Sequence, residues 1–178
     1  YRGGSDVLGM ETRGERRGDE WIINGTKAYI TNAQYADVIF VCAMTDPDKR
    51  GAGGTTFVVE RDAPGLKIGR TYRTIMDDGM TGELIFDNCR VPKENLLGKE
   101  GDGFKICMTE LNTTRLSCAA GAIGVARACR EASVQYANQR VQFGQKIGEF
   151  QMIQDMIAQM VVQEEAARLL LYKAAVLK

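Results

Sequence analysis

The sequence predicts an α+β chain, an antiparallel β-barrel or sandwich domain followed by two long antiparallel helices of a helical bundle. Up to about Gly98, short apolar runs are separated by turn signals at regular spacing, the pattern of a compact antiparallel β-domain. From Gly103 the apolar residues recur at three-, four- and seven-residue steps, the period of helices that bury one face. The segment Arg140 to Gln151 interrupts that period before it resumes. The expected division is residues 1–100 for the β-domain and 101–178 for the helices.

Taken in order, Trp21-Ile22-Ile23 and Lys27-Ala28-Tyr29-Ile30-Thr31 flank Asn24-Gly25. That dipeptide is the favoured two-residue hairpin turn, because both residues tolerate positive φ. Val38 to Ala43 is a continuous apolar run suited to a buried strand, and Thr56 to Val59 is another, after a solvated loop from Asp46 to Gly54. Leu66–Ile68 and Glu83–Phe86 complete the strands. In the first helix Phe104, Cys107, Leu111, Cys118, Ala122, Val125, Cys129, Ala132 and Tyr136 form a stripe of mostly small apolar residues. The second helix carries Phe150, Ile153, Ile157, Met160, Ala167, Leu171 and Ala174 at near-heptad spacing, interrupted by Glu164.

Composition narrows the chemistry. The chain has 178 residues, about one domain's worth, and 23 Lys plus Arg balance 23 Asp plus Glu. That balance gives no reason to expect nucleic acid or an anionic membrane as a partner. The absence of histidine removes the commonest general base, the Ser-His triad and most zinc sites, leaving acid–base work to carboxylates. Five cysteines without Cys-x-x-Cys spacing read as reduced, buried thiols. No apolar run approaches the ~18 residues of a bilayer span, and the first residues do not read as a signal peptide. The start at Tyr1 and the stop at Lys178 within a helical pattern lead us to expect a piece of a longer polypeptide.

Several segments combine residues that could hold a ligand. Gly3-Gly4-Ser5-Asp6 could turn its amides and the Ser5 hydroxyl toward an oxyanion or carbonyl, or be only a surface turn. Tyr29 and Thr31 sit two apart on a strand and so share a face. An aromatic plate beside a hydroxyl suits a flat heterocycle, although an aromatic in a strand also suits a core. Leu111-Asn112-Thr113-Thr114-Arg115 gathers polar groups within about one helical turn; they satisfy either a ligand or a neighbouring loop. The joint Arg140 to Gln151 combines a guanidinium, Phe143 and the glycines Gly144 and Gly148. It is able to grip a phosphate, and equally able to be a plain helix–helix turn. The acidic pairs Asp77-Asp78 and Glu164-Glu165 read as solvent-facing and receive no role.

Set in order, Gly4-Ser5-Asp6, Asn24 to Lys27, Tyr29-Ile30-Thr31-Asn32, Phe86-Asp87 with Val91 to Leu96, Leu111-Asn112 with Arg115, and Arg140 with Phe143-Gly144 and Gln151 resemble successive landmarks of the acyl-CoA dehydrogenase family. The resemblance covers essentially the whole chain. It implies FAD-dependent α,β-dehydrogenation of an acyl-CoA to the 2-enoyl-CoA, with electrons passed to an electron-transfer flavoprotein. It also implies a homotetramer sharing FAD between subunits, in the bacterial cytoplasm or the mitochondrial matrix. Gly4, Ser5, Tyr29, Ile30 and Thr31 match the family's flavin contacts, Ser5 meeting the acyl thioester as well; Tyr29 stands where the family has tryptophan, a smaller plate with an added phenol. Arg140, Gln142, Phe143, Phe150 and Gln151 match the loop that reaches the FAD of a neighbouring subunit. Asn112, Thr113, Thr114 and Arg115, with Asn112 where many members have aspartate, match the helix that meets the CoA side of the substrate.

The family's base is a glutamate, found in most members well beyond the position of Lys178. In a minority it immediately precedes the helix arginine, where this chain has Thr114. We therefore expect no catalytic base within residues 1–178. The other expectations that fit the same residues are an acyl-CoA oxidase or flavin monooxygenase on this scaffold, and a binding module that has lost its cofactor.

Overall fold

A computed structural model describes residue 4 and residues 6–75 and 79–178. The chain divides at Thr109/Glu110 into two compact units. The first holds a seven-stranded sheet built from β1 (Arg13–Arg17), β2 (Glu20–Thr31), β3 (Val38–Met44), β4 (Gly54–Glu60), β5 (Leu66–Thr71), β6 (Thr81–Pro92) and β7 (Leu96–Leu97). Its order is β5-β6-β2-β1-β3-β4-β7, so the sheet is open with β5 and β7 at its edges. Neighbours are antiparallel except β1 and β3, which meet in parallel where Arg13 faces Met44.

The β-branched run of β3 alternates inward and outward along most of its length, whereas β4 is buried along nearly all of its length. Ile39, Val41 and Ala43 join Phe57 and Val59 in the core. Trp21 packs on Phe57 with ring centroids 5.1 Å apart at a tilt of 57°. Leu84, Phe86, Cys89 and Val91 of β6 close the same cluster.

The hairpin expected at Asn24-Gly25 is not there: β2 runs unbroken from Glu20 to Thr31. The turn lies earlier, at Gly18-Asp19, where Arg17 pairs with Glu20 and Gly18 takes φ +63°. Asn24-Gly25 instead marks a bulge against β6, with Ile23 opposite Cys89 but Gly25 already opposite Phe86. The Asn88 N–H donates to the Asn24 side-chain oxygen at 2.8 Å across that bulge. Gly25 is required because a Cβ at its φ of +138° would lie 2.8 Å from the Thr12 Cα. The strand β1, Arg-Gly-Glu-Arg-Arg, lacks an apolar run and carried no strand signal. Part of the loop expected at Asp46 to Gly54 is a 3-10 segment, Pro47–Gly53, capped by the Asp46 carboxylate.

The helical unit is carried by α1 (Gly103–Gln139) and α2 (Gln151–Leu177). Within it the helices run antiparallel: Arg130 pairs with Glu164 at 2.5 Å, and the Lys178 ammonium donates to the Thr113 hydroxyl at 3.0 Å. The shielded side of α1 is Leu116, Ile123, Arg130 and Ala137 rather than the expected stripe, whose Leu111, Cys118, Val125, Cys129 and Tyr136 are exposed. On α2 the expected Ile153, Ile157 and Leu171 are indeed shielded, but Glu164 shares their seam and is 5 % exposed. Glu164 is therefore not the solvent-facing acid expected. An ionic pair satisfies it there, which a search for apolar periodicity passes over. All five cysteines are free thiols, and Cys118 and Cys129 are exposed, against the expectation of burial.

Candidate functional site

In the first unit the candidate site centres on the end of β2. Lys27 pairs with Leu84 and Ile30 with Gly82, so Ala28 and Tyr29 together face Glu83 alone. This is a one-residue bulge, a device that re-aims a side chain. Tyr29 sits in it at φ +57°, a left-handed conformation uncommon for a non-glycine residue. Ile30 points inward against the core, while Tyr29 and Thr31 are exposed, Tyr29 at 65 %. The bulge thus leaves an aromatic ring and a hydroxyl exposed within three residues, with the isoleucine between them packed against the core.

Sequence reasoning missed the ring's partner. Tyr72 stacks on Tyr29 with centroids 4.1 Å apart and planes 18° from parallel. The Arg70 guanidinium lies over the Tyr72 ring at 4.9 Å, and the Tyr72 hydroxyl donates to Glu83 at 3.2 Å. A lone tyrosine between arginines in Arg70-Thr71-Tyr72-Arg73 carries no periodic or turn signal. Gly4 has φ +76° with open space where a Cβ would stand. Gly3 and Ser5 lie outside the described residues, as do Asp77 and Asp78. Asp6 accepts from the Gly9 N–H at 3.2 Å and caps a short 3-10 turn, Val7–Gly9.

A second polar cluster in this unit surrounds Lys27, whose ammonium meets the Met10 sulfur at 3.1 Å. Burial lowers the Lys27 pKa, and the nearby Cys42 and Cys107 thiols act in the opposite direction. Burial pushes the Cys42 thiol up to about 11, so it is inert as a nucleophile at neutral pH.

In the helical unit the candidate residues fall into two groups. Asn112, Thr113, Thr114 and Arg115 are consecutive on α1, so they point around the axis and only Asn112 and Arg115 share a side. Thr114 is committed to the helix, its hydroxyl donating to the Glu110 carbonyl at 3.2 Å. Arg115 donates from Nε to the Leu111 carbonyl at 3.1 Å.

The joint between the helices is a small hairpin: β8 (Val141–Gln142) pairs with β9 (Gln145–Lys146). Its turn is Phe143-Gly144, at φ +53° and +80°, the double left-handed pattern of a type I′ turn. Phe143 is 94 % exposed and meets Phe150 edge-on at 6.2 Å. Arg140 is exposed at the hairpin's base, where its carbonyl accepts from the Ile147 N–H at 2.9 Å. The Gln142 side chain turns back on the Val141 carbonyl, and Gln151 opens α2 in an exposed position. Gly148 allows the close pass to α1: a Cβ there would stand 3.1 Å from the Ala137 carbonyl oxygen.

Among the described residues no cluster of three potential metal ligands occurs, and no helix is long and apolar enough to cross a membrane. Concavities of about 360 and 460 Å³ lie elsewhere on the first unit, around Asp46 and Glu100 and around Pro64 and Asn95. Neither is lined by a candidate residue.

Comparison with known proteins adds to this geometry. Residues 1–89 match the family model of the acyl-CoA dehydrogenase middle domain, and residues 101–178 that of the acyl-CoA dehydrogenase C-terminal domain. Glutaryl-CoA dehydrogenase of Desulfococcus multivorans is 52 % identical over 176 residues, covering 98 % of this chain and 45 % of the relative. Cyclohex-1-ene-1-carbonyl-CoA dehydrogenase of Geobacter metallireducens is 46 % identical over 173 residues, 97 % of this chain and 46 % of the relative. A solved complex of glutaryl-coenzyme A dehydrogenase with glutaryl-CoA superposes with a TM-score of 0.93 at 52 % identity, over 97 % of this chain and 44 % of that one. The chain spans about half the length of the curated relatives it matches.

Proposed function

The chain belongs to the acyl-CoA dehydrogenase family, and from that premise we propose that the protein containing it carries out FAD-dependent α,β-dehydrogenation of an acyl-CoA thioester. The observation that carries this reading is the bulge at Tyr29-Ile30-Thr31, where an aromatic ring and a hydroxyl are both exposed within three residues. That donor set fits an isoalloxazine ring: a flat apolar surface needs a plate, and its polar edge needs a hydroxyl.

FAD, when bound, supplies the two-electron acceptor for the hydride that leaves the β-carbon. Tyr29 gives the ring system a stacking surface and Thr31 a hydrogen bond at its edge. Gly4 and Ser5 would contact the flavin, and Ser5 the acyl thioester as well. Arg140, with Gln142, Phe143, Phe150 and Gln151, would hold the FAD of a neighbouring subunit, the guanidinium being able to supply charge-assisted N–H bonds to a phosphate. Asn112 and Arg115, on one side of α1, meet the CoA portion, with Thr113 and Thr114 beside them. We assign no base within residues 1–178, because the hydroxyl of Thr114, at the alternative position for the glutamate, is a poor base and already serves the Glu110 carbonyl.

We further propose that residues 1–100 form the middle β-domain and residues 101–178 the helical part that follows. The assembly is a homotetramer, and electrons pass to an electron-transfer flavoprotein. The names of the relatives point to short dicarboxylic or cyclic acyl-CoA esters as substrates. A panel of such esters, tested for bleaching of the flavin in the complete protein, decides the class; no bleaching by any acyl-CoA sinks the reading. Arg140→Ala is expected to weaken FAD retention by about 10- to 100-fold, the worth of a charged hydrogen bond of ~1.5–3 kcal/mol. Unchanged flavin content after purification would refute the role of Arg140.

A further inference from the structure

We propose that Tyr72 is a positioning residue of the flavin site, acting through Tyr29: it fixes the plane of the Tyr29 ring so that the opposite face is presented to the flavin. The inference rests on the reading of Tyr29 as the flavin's plate, and deepens it.

The bulge that frees Tyr29 from the strand's alternation also removes its cross-strand neighbour. Between the Lys27–Leu84 and Ile30–Gly82 pairs, Tyr29 has no partner of its own in the ladder. At 65 % exposure, burial does not fix the ring either. Tyr72 supplies what is missing. Its ring lies 4.1 Å from that of Tyr29 and within 18° of parallel, so one face of Tyr29 is covered and the stack sets its tilt.

Tyr72 is itself held at several points. Its backbone N–H donates to the Thr81 carbonyl at 2.8 Å, and its phenol donates to Glu83, the residue facing the bulge, at 3.2 Å. The Arg70 guanidinium over its ring, at 4.9 Å, adds a cation–π contact. A tyrosine at position 29 offers less area than an indole and leaves more freedom to the ring. A second ring stacked behind it restores rigidity to the plate, which lowers the ordering cost of binding.

The test uses the full-length protein stripped of flavin and titrated with FAD, followed by flavin fluorescence and by visible circular dichroism of the bound flavin. Tyr72→Ala is expected to raise the FAD Kd about 3- to 10-fold, the range of an aromatic pair, and to reduce the visible dichroism. Tyr72→Phe should behave as the parent, because the ring and not the phenol positions Tyr29. Tyr29→Ala with Tyr72→Ala should be no worse than Tyr29→Ala alone, since Tyr72 acts through Tyr29.

Should Tyr72→Ala fail to fold, Tyr72→Leu, which keeps bulk without a plate, is expected to show the same loss while Tyr72→Phe does not. A parental Kd and dichroism in Tyr72→Ala or Tyr72→Leu, alongside a weakened Tyr29→Ala, overturns the role of Tyr72 and leaves the flavin site standing. Equal losses in Tyr72→Phe and Tyr72→Ala also overturn it, placing the effect in the bond to Glu83. Parental FAD binding in Tyr29→Ala, or no FAD binding by the parent, removes the flavin-site reading and this inference with it.

Discussion

Gly25 is held at φ +138° with no room for a Cβ beside the Thr12 backbone, whereas Gly18 turns at φ +63° with open space around it. The two glycines therefore differ in what they tolerate. Gly18→Ala should cost about 1–2 kcal/mol, the left-handed penalty alone. Gly25→Ala should cost about 3 kcal/mol or more, because strain and a backbone clash add. Urea unfolding of the two variants checks this; equal losses would place the turn and the bulge wrongly. The same pair shows where residue-level reading stops. Asn24-Gly25 carries the favoured hairpin dipeptide, but Gly18-Asp19 closes the hairpin, because the register that buries Trp21 and Ile23 overrides the local preference. At Tyr29-Ile30-Thr31 local reading fared differently. Alternation places Tyr29 and Thr31 on one face, and both are exposed, but Tyr29 reaches the surface through a bulge at a left-handed φ and stacks on Tyr72, a contact across the sheet that no spacing encodes.

At the scale of elements, α1 and α2 are joined by an ion pair in their seam as well as by apolar contact. The Arg130 guanidinium beside Glu164 holds its carboxyl below the ordinary value of 4.5, with further help from Arg168 and Arg127. A carboxyl whose folded pKa is depressed stabilises the fold above its ordinary value, and that stabilisation is lost as pH falls through the folded pKa. The helical unit should thus weaken on acidification below about 4.5. Glu164→Gln should lower the Tm at neutral pH and abolish this part of the acid loss, so that parent and variant converge at low pH. Thermal unfolding from pH 7 to 3 measures it; a constant gap between the two would contradict the pairing. Helix limits were legible because the period and the break at Arg140 are strong. The shielded face of α1 was not, since Arg130 and small residues on it dilute the apolar signal.

For the chain as a whole, the two units differ sharply in how they bury apolar side chains. The β-unit has a contiguous core of residues such as Ile23, Phe57 and Leu84, nearly all without exposure. Among the described residues from Glu110 to Lys178, only Ala137 and Glu164 are buried, while Val125, Met152, Val162, Leu169, Leu170 and Val176 are each more than half exposed. A helix pair has room for one shared seam; the remaining apolar faces stay in water unless another surface covers them. Monomeric proteins rarely expose apolar patches of more than a few hundred Å². Residues 1–178 expressed alone should therefore self-associate through these helices, sedimenting well above the 19.6 kDa of one chain and binding a hydrophobic dye. Leu169→Glu together with Leu170→Glu lies on this exposed surface, outside the core of the β-unit, and should shift the population toward monomer with little loss of β-unit stability. A monodisperse monomer that ignores the dye would show that the exposed helical faces do not drive association, and would take away the physical basis in this chain for expecting a tetramer.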